Sequence, residues 1–304
     1  MTGFKVKIPA SLGQRAAAEG LCLGVDEAGR GPVLGPMVYA CAFWAMSDQA
    51  EMAQREFDDS KKLSEDQRDG MFEEIENDDK IGYVICELSA KSLSEQMLRV
   101  PEPISLNKIA HDATVEMISR VIAAGLSIKE IYVDAVGNCE TYERMLSSIF
   151  PDSKVCVRPK ADSLFKVVSA ASVCAKVSRD KAIAEWVFEE PGIEASTEWG
   201  CGYPGDEKTK RWLSENIEPV FGYPSIVRFS WQTTKTILEP NGVSGGKQEA
   251  APAVKIARVV FPAEDNRTGA PTVSEMFKRA SRKRTHYFSS RGVELVADIN
   301  KVGS

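Results

Sequence analysis

Apolar and polar positions divide the chain into a strand-rich first half and a second half where strands and helices alternate. Leu21–Val25 is a short apolar run and Met37–Trp44 a second, with a Gly/Pro-rich loop between them. Gly82–Leu88 is a third, with the Tyr, Val and Ile mix that suits a strand. An acidic stretch precedes it, and a helix is predicted to begin there near Ser64, where Ser64 and Gln67 have capping-box spacing. Three strands joined without long helical crossovers predict an antiparallel meander.

The rhythm then changes. A helical pattern runs from about Leu106 to Ala124 and stops at Gly125. Ile128–Val133 follows as a strand, Thr141–Ile149 as a helix, Lys154–Val157 as a strand and Leu164–Phe188 as a long helix. That order predicts parallel pairing. The expected fold is α/β: a mixed sheet of about five strands, three antiparallel and two parallel, flanked by helices. Further helices are predicted around Glu207–Asn216 and Trp231–Leu238. Residues 1–20 are read as an N-terminal segment and 21–239 as the main domain. A Gly-, Ala-, Pro- and Ser-rich linker is expected over 240–270, then a tail over 271–304 with a basic cluster from Lys278 to Arg284.

Composition adds exclusions. With 43% hydrophobic and 27% charged residues the chain can bury a sizeable core. No apolar run approaches ~20 residues, so no membrane span is expected. The N-terminus lacks the apolar core of a secretion signal. Seven scattered cysteines without a C-x-x-C pair suit a reducing compartment and imply neither a disulfide framework nor a zinc site. A net charge of −6 argues mildly against a nucleic-acid partner. The charge is uneven, however: Glu51–Lys80 holds twelve acids against five bases, whereas Val155–Lys181 holds six bases against Asp162 and Asp180. Local field, not the whole-chain sum, governs phosphate binding.

Acids fall where strands end. Leu21–Val25 runs into Asp26-Glu27, Ile131–Val133 into Asp134, and Lys154–Val157 is soon followed by Asp162. Loops at the carboxyl ends of strands are where α/β sites assemble. Two carboxylates ~4 Å apart repel by roughly 4 kcal/mol at an effective dielectric near 20, so such a cluster calls for protons or cations. Hard oxygen ligands suit Mg²⁺ or Mn²⁺. With only His111 and His286 present, a histidine-based metal site or a serine triad is poorly supplied. The competing reading makes these acids turn and cap residues, with Asp162 capping the long helix. The loop Ala28-Gly29-Arg30-Gly31-Pro32 offers main chain for close ligand approach, or is simply a glycine hairpin. Gly200-Cys201-Gly202-Tyr203-Pro204 presents a tyrosine from a fixed loop, as a stacking surface or as a partial core residue.

These motifs carry a resemblance. Leu23-Gly24-Val25-Asp26-Glu27-Ala28-Gly29-Arg30-Gly31-Pro32-Val33-Leu34-Gly35-Pro36 resembles the signature of type 2 ribonucleases H. Val133-Asp134, Lys160-Ala161-Asp162, Ser169-Ala170-Ala171-Ser172 and Gly202-Tyr203-Pro204 match in the same order, over about Leu21 to Leu238. Val227-Arg228-Phe229-Ser230-Trp231, His286-Tyr287-Phe288 and Arg291-Gly292-Val293-Glu294 resemble the catalytic subunit of the eukaryotic enzymes.

The resemblance implies an RNase H-like fold in which Asp26, Glu27, Asp134 and Asp162 hold two Mg²⁺ or Mn²⁺ ions. One would activate water and the other stabilise the leaving 3′-oxygen. It also implies cleavage of RNA/DNA hybrids, and of duplex DNA 5′ of a single ribonucleotide, leaving 3′-hydroxyl and 5′-phosphate ends. The main chain of Gly29, Arg30 and Gly31 would contact the 2′-hydroxyl and Tyr203 would stack on the next sugar. Lys61, Arg179 and Thr233 match positions near substrate phosphates. Two accessory subunits in a heterotrimer, a nuclear location and roles in replication and ribonucleotide removal are further implications. Ser105-Leu106-Asn107 stands where the eukaryotic catalytic subunits usually read Asn-Leu-Asn, which weakens a phosphate role for Ser105. A duplex-binding protein without catalysis and a DNA-cutting nuclease on the same fold are the alternative readings.

Overall fold

The computed structural model describes residues 2–238 apart from 56, 58–63, 136, 189, 191–196 and 218–221. The expected linker and tail, with the Lys278–Arg284 cluster, lie outside the described residues, as does Lys61.

In chain order the described elements are β1 (Thr2–Lys7), α1 (Ala10–Glu19), β2 (Leu21–Ala28), β3 (Met37–Ala45), α2 (Gln49–Met52), α3 (Glu65–Asn77), β4 (Gly82–Leu88), α4 (Ala90–Met97) and α5 (Leu106–Ala123). They continue with β5 (Ile128–Asp134), α6 (Cys139–Ile149), β6 (Lys154–Arg158), α7 (Lys166–Ala184), α8 (Glu207–Glu215) and α9 (Gln232–Leu238). The sheet runs β1-β4-β3-β2-β5-β6. β1 to β2 pair antiparallel through β4 and β3, and β5 and β6 continue it in parallel.

The mixed sheet is therefore as expected, with a sixth strand added. β1 falls in the stretch read as a preceding segment, and its six residues pair with Lys7↔Tyr83 through Thr2↔Leu88. Its sequence Thr-Gly-Phe-Lys-Val-Lys is too short and polar to announce itself. Lys7 is anchored by donating Nζ to the carbonyls of Ile75 and Asp78 at 2.7 and 2.5 Å.

Burial follows from position in the sheet. All nine residues of central β3 are buried, which suits an unbroken apolar run covered on both faces. One face packs Leu23, Val25, Tyr39 and Phe43 beneath α1, α5 and α6, through Leu12, Ile109, Met117 and Leu146. The other packs Cys22, Ala40 and Ala42 beneath α3 and α7, through Ile75, Val168 and Val173. Local signals read from the sequence hold: Ser64 and Gln67 form the capping box of α3. Gly125 stands past the end of α5 with φ +83°.

Gly24 fixes how α7 meets the sheet. A Cβ there would lie 2.4 Å from the Val167 carbonyl carbon and 2.5 Å from the Val168 nitrogen, so helix backbone rests directly on strand backbone. Gly24→Ala should force the two apart and destabilise the fold by roughly 3 kcal/mol. Thermal or urea unfolding checks this, and an unchanged midpoint would contradict it.

Candidate active site at the carboxyl ends of β2 and β5

Asp26 and Asp134 end neighbouring parallel strands. The register pairs Val25 with Val133, which sets the two acids side by side at the next position. Asp26 is 5% exposed. Its Oδ1 accepts the Glu27 N–H at 2.7 Å, and its carboxylate also takes the Ser172 hydroxyl of α7. Burial, with the charge of Asp134 as a further cause, pushes its pKa up to about 7 against the bonds from Ser172 and Glu27.

Asp162 does not cap the long helix. It sits in a 3-10 turn, Ala161–Ser163, while α7 starts later behind Phe165 with no side-chain cap. Lys160 enters the turn with φ 56°, and the turn is fastened to β5 where Ala161 N–H donates to Asp134 Oδ1 at 2.9 Å. Asp162 is 2% exposed, and its carbonyl takes the Ser169 hydroxyl.

Glu27 follows Asp26 on a strand and so points to the opposite face. Its charge acts there on the phenols of Tyr39 and Tyr142. The structure thus brings Asp26, Asp134 and the Asp162 turn together and sets Glu27 over the sheet edge. Among the described residues no three His, Cys, Asp or Glu side chains form a ready-made metal cage. Asp26 and Asp134 each turn an oxygen to protein donors instead. The donor set still fits a hard cation: carboxylate oxygens, two of them on adjacent strands and one held largely out of water.

The glycine loop after β2 is braced from behind by Arg228, which is 0% exposed. Its Nη2 donates to Gly29 O at 2.6 Å, Nη1 to Arg30 O at 3.2 Å and Nε to Gly35 O at 2.8 Å. Trp231, beneath the same guanidinium at 4.7 Å, donates Nε1–H to Gly31 O at 3.0 Å. In a trans peptide the N–H points opposite to the C=O. Drawing the carbonyls of Gly29 and Arg30 inward therefore turns the N–H groups of Arg30 and Gly31 outward. Burial, then Arg179 nearby, lowers the Arg228 pKa to about 9, so it stays charged at neutral pH.

Tyr203 meets this loop. A Cβ on Gly31 would stand 3.1 Å from the Tyr203 ring, which is 49% exposed. Gly202 holds the two loops together, its carbonyl taking Val33 N–H at 2.8 Å. The Arg30 side chain bonds Asn107 and reaches Tyr39 Oη at 3.5 Å. Ser105 is the N-cap of α5, accepting Lys108 N–H at 3.2 Å.

Arg179 packs beneath Gly29, where a Cβ would fall 2.3 Å from its Nε, and pairs with Asp180 at 3.6 Å. Thr233 lies half-buried in α9, and its neighbour Thr234 is the one that ties down the Arg228 turn, donating to Trp231 O at 2.6 Å. Arg228, Trp231 and Thr234 are the site residues that sequence reasoning passed over. They stood within or beside the Val227–Trp231 motif, but a buried cation serving carbonyls leaves no spacing signature.

Residues 23–234 match the family model for ribonuclease HII. The chain belongs to the ribonuclease HII family. It is a hydrolase of the ribonuclease H type. The A-subunit of ribonuclease H2 from Homo sapiens is 40% identical over 91% of this chain and 90% of its own length. Its Arabidopsis thaliana counterpart is 38% identical over 93% and 97%. The crystal structure of ribonuclease H2 from Pyrococcus horikoshii superposes with a TM-score of 0.57 at 30% identity, covering 71% of this chain and 95% of that one. Within this ribonuclease HII chain no described helix is long and apolar enough to cross a membrane.

Two measurements test the site. Arg228→Gln removes the charge and at least one of three carbonyl bonds, and should cost ~2–4 kcal/mol in urea unfolding. Arg228→Lys should not restore it, since an ammonium cannot span three carbonyls; a wild-type midpoint in either variant would contradict the bracing role. The second concerns pH in chelator. Asp26 has a folded pKa raised from 3.8 to about 7, so its stabilising contribution is complete below pH 3.8 and disappears as pH rises through 7. Relative to wild type, Asp26→Asn should gain stability between pH 5 and 8, by at most ~4 kcal/mol. A pH-independent difference between the two proteins would refute the shift.

Proposed function

We propose that this chain is the catalytic subunit of a type 2 ribonuclease H. It cuts the RNA strand of RNA/DNA hybrids, and duplex DNA on the 5′ side of a single embedded ribonucleotide. The observation that carries the reading is the convergence of Asp26, Asp134 and the Asp162 turn at one sheet edge, next to a loop with outward N–H groups. Two Mg²⁺ or Mn²⁺ ions, held by these three acids with Glu27, would supply the activated water and the charge on the leaving 3′-oxygen. The products would carry 3′-hydroxyl and 5′-phosphate ends.

The chain's own residues do the positioning. The braced main chain of Gly29, Arg30 and Gly31 reads the 2′-hydroxyl, the one group that marks a ribonucleotide within DNA. The Tyr203 ring, resting on Gly31, stacks on the following sugar. Arg179 and Thr233 lie near this loop and its brace and serve the flanking phosphates, as Lys61 does from outside the described residues. The likeness to the human and Arabidopsis ribonuclease H2 chains supports assembly with two accessory subunits, the 271–304 tail taking part, and a nuclear location.

Asp134→Asn should reduce nicking of a duplex carrying one ribonucleotide by at least ~10³-fold in Mg²⁺. Full retained activity would refute the assignment, and equal cleavage of an all-DNA duplex would turn it toward a DNA nuclease. Tyr203→Ala should damage cleavage at isolated ribonucleotides more than cleavage of long hybrids. Equal losses on both substrates would remove the stacking role.

A further inference from the structure

Three polar residues line one stripe of α7 in its otherwise apolar, buried section: Ser169, Ser172 and Lys176. Ser169 is 2% exposed and Ser172 0%. Buried hydroxyls in mid-helix usually turn back to the carbonyl one turn earlier. Neither does so simply. Ser169 reaches beyond the helix to the Asp162 carbonyl. Lys176 Nζ donates to Ser172 Oγ at 2.8 Å. An ammonium only donates, so the serine oxygen is the acceptor there and its single proton is left for another acceptor. It goes to the Asp26 carboxylate. The direction of every bond is thus set: ammonium to hydroxyl to carboxylate, a chain in which each link polarises the next.

We propose that Lys176, acting through Ser172, is a positioning residue that orients Asp26 to receive a divalent cation. The inference rests on the reading of Asp26 as a metal ligand. Without the chain, Asp26 would keep the Glu27 N–H alone, and its carboxylate would be free to rotate about the strand end beside Asp134. With it, one lone pair is committed to α7 and the remaining ones are directed toward the space between β2 and β5. Lys176 also brings a positive charge one bond from a carboxylate that burial makes hard to ionise, which favours the anionic, ligating form. The same helix turn that braces Asp162 through Ser169 thereby braces Asp26 through Ser172, so one rigid element sets two acids that come from separate strands.

The test is Mn²⁺ affinity of the full-length chain, by calorimetry or by the paramagnetic resonance of free Mn²⁺. Ser172→Ala and Lys176→Gln should each weaken binding about tenfold, the range for a lost outer hydrogen bond to a ligand. The double variant should be little weaker than either single one, because both break the same chain. Lys176→Arg, which keeps the charge, should retain most of the affinity. Lys176 is partly exposed, so its variants should fold even if Ser172→Ala is unstable. Asp26→Asn separates the two ideas. If it abolishes Mn²⁺ binding while Ser172→Ala and Lys176→Gln bind as wild type, the positioning role is wrong and the metal site stands. If Asp26→Asn itself leaves affinity unchanged, the reading of Asp26 as a ligand fails first. Fully additive losses in the double variant would overturn the single-chain account.

Discussion

Everything at the sheet edge depends on α7 lying directly on β2. A helix ordinarily stands off a sheet by the depth of two side chains. At Gly24 that spacer is missing, and the backbones of Val167 and Val168 descend onto the strand. The approach lowers Ser172 to Asp26, brings the Ala161–Ser163 turn against β5, and leaves no room for water behind the acids. It also explains why Asp26 resists ionisation: the same contact that positions the carboxylate removes its solvent.

A second constraint governs the neighbouring loop. Arg228 is a buried cation whose hydrogen bonds go to carbonyl oxygens, not to an acid. It acts as a spoke inside a ring of peptides drawn from Gly29 to Gly35. Trp231 extends that ring to Gly31, and Thr234 holds the turn from which the spoke projects. Residues some two hundred positions apart in sequence thus define one loop, and the tyrosine of a third segment rests on it.

How much of this was legible depended on whether a feature is local. The acids at Asp26, Glu27 and Asp134 were visible because a strand's end is a local event: an apolar run that stops on a carboxylate. The capping box at Ser64 and the stop at Gly125 were visible for the same reason. β1 was not, because an edge strand of six residues with two lysines is stabilised by its partner, not by its own pattern. Asp162 was located but open in role, since a cap and a turn ligand have the same spacing; only the start of α7 at Lys166 separates them. Arg228 was quoted as part of a motif, yet its burial and its carbonyl partners are non-local facts that no window of sequence contains.

The brace behind the glycine loop has a consequence for how the chain holds a polyanion while carrying a net charge of −6. A surface made of outward peptide N–H groups grips by fixed dipoles, with the compensating guanidinium sealed inside. Such contacts displace few condensed counterions, so the part of recognition they supply should be nearly indifferent to ionic strength, unlike contacts made by surface lysines. An acidic protein can therefore select its nucleic acid without first attracting every other one.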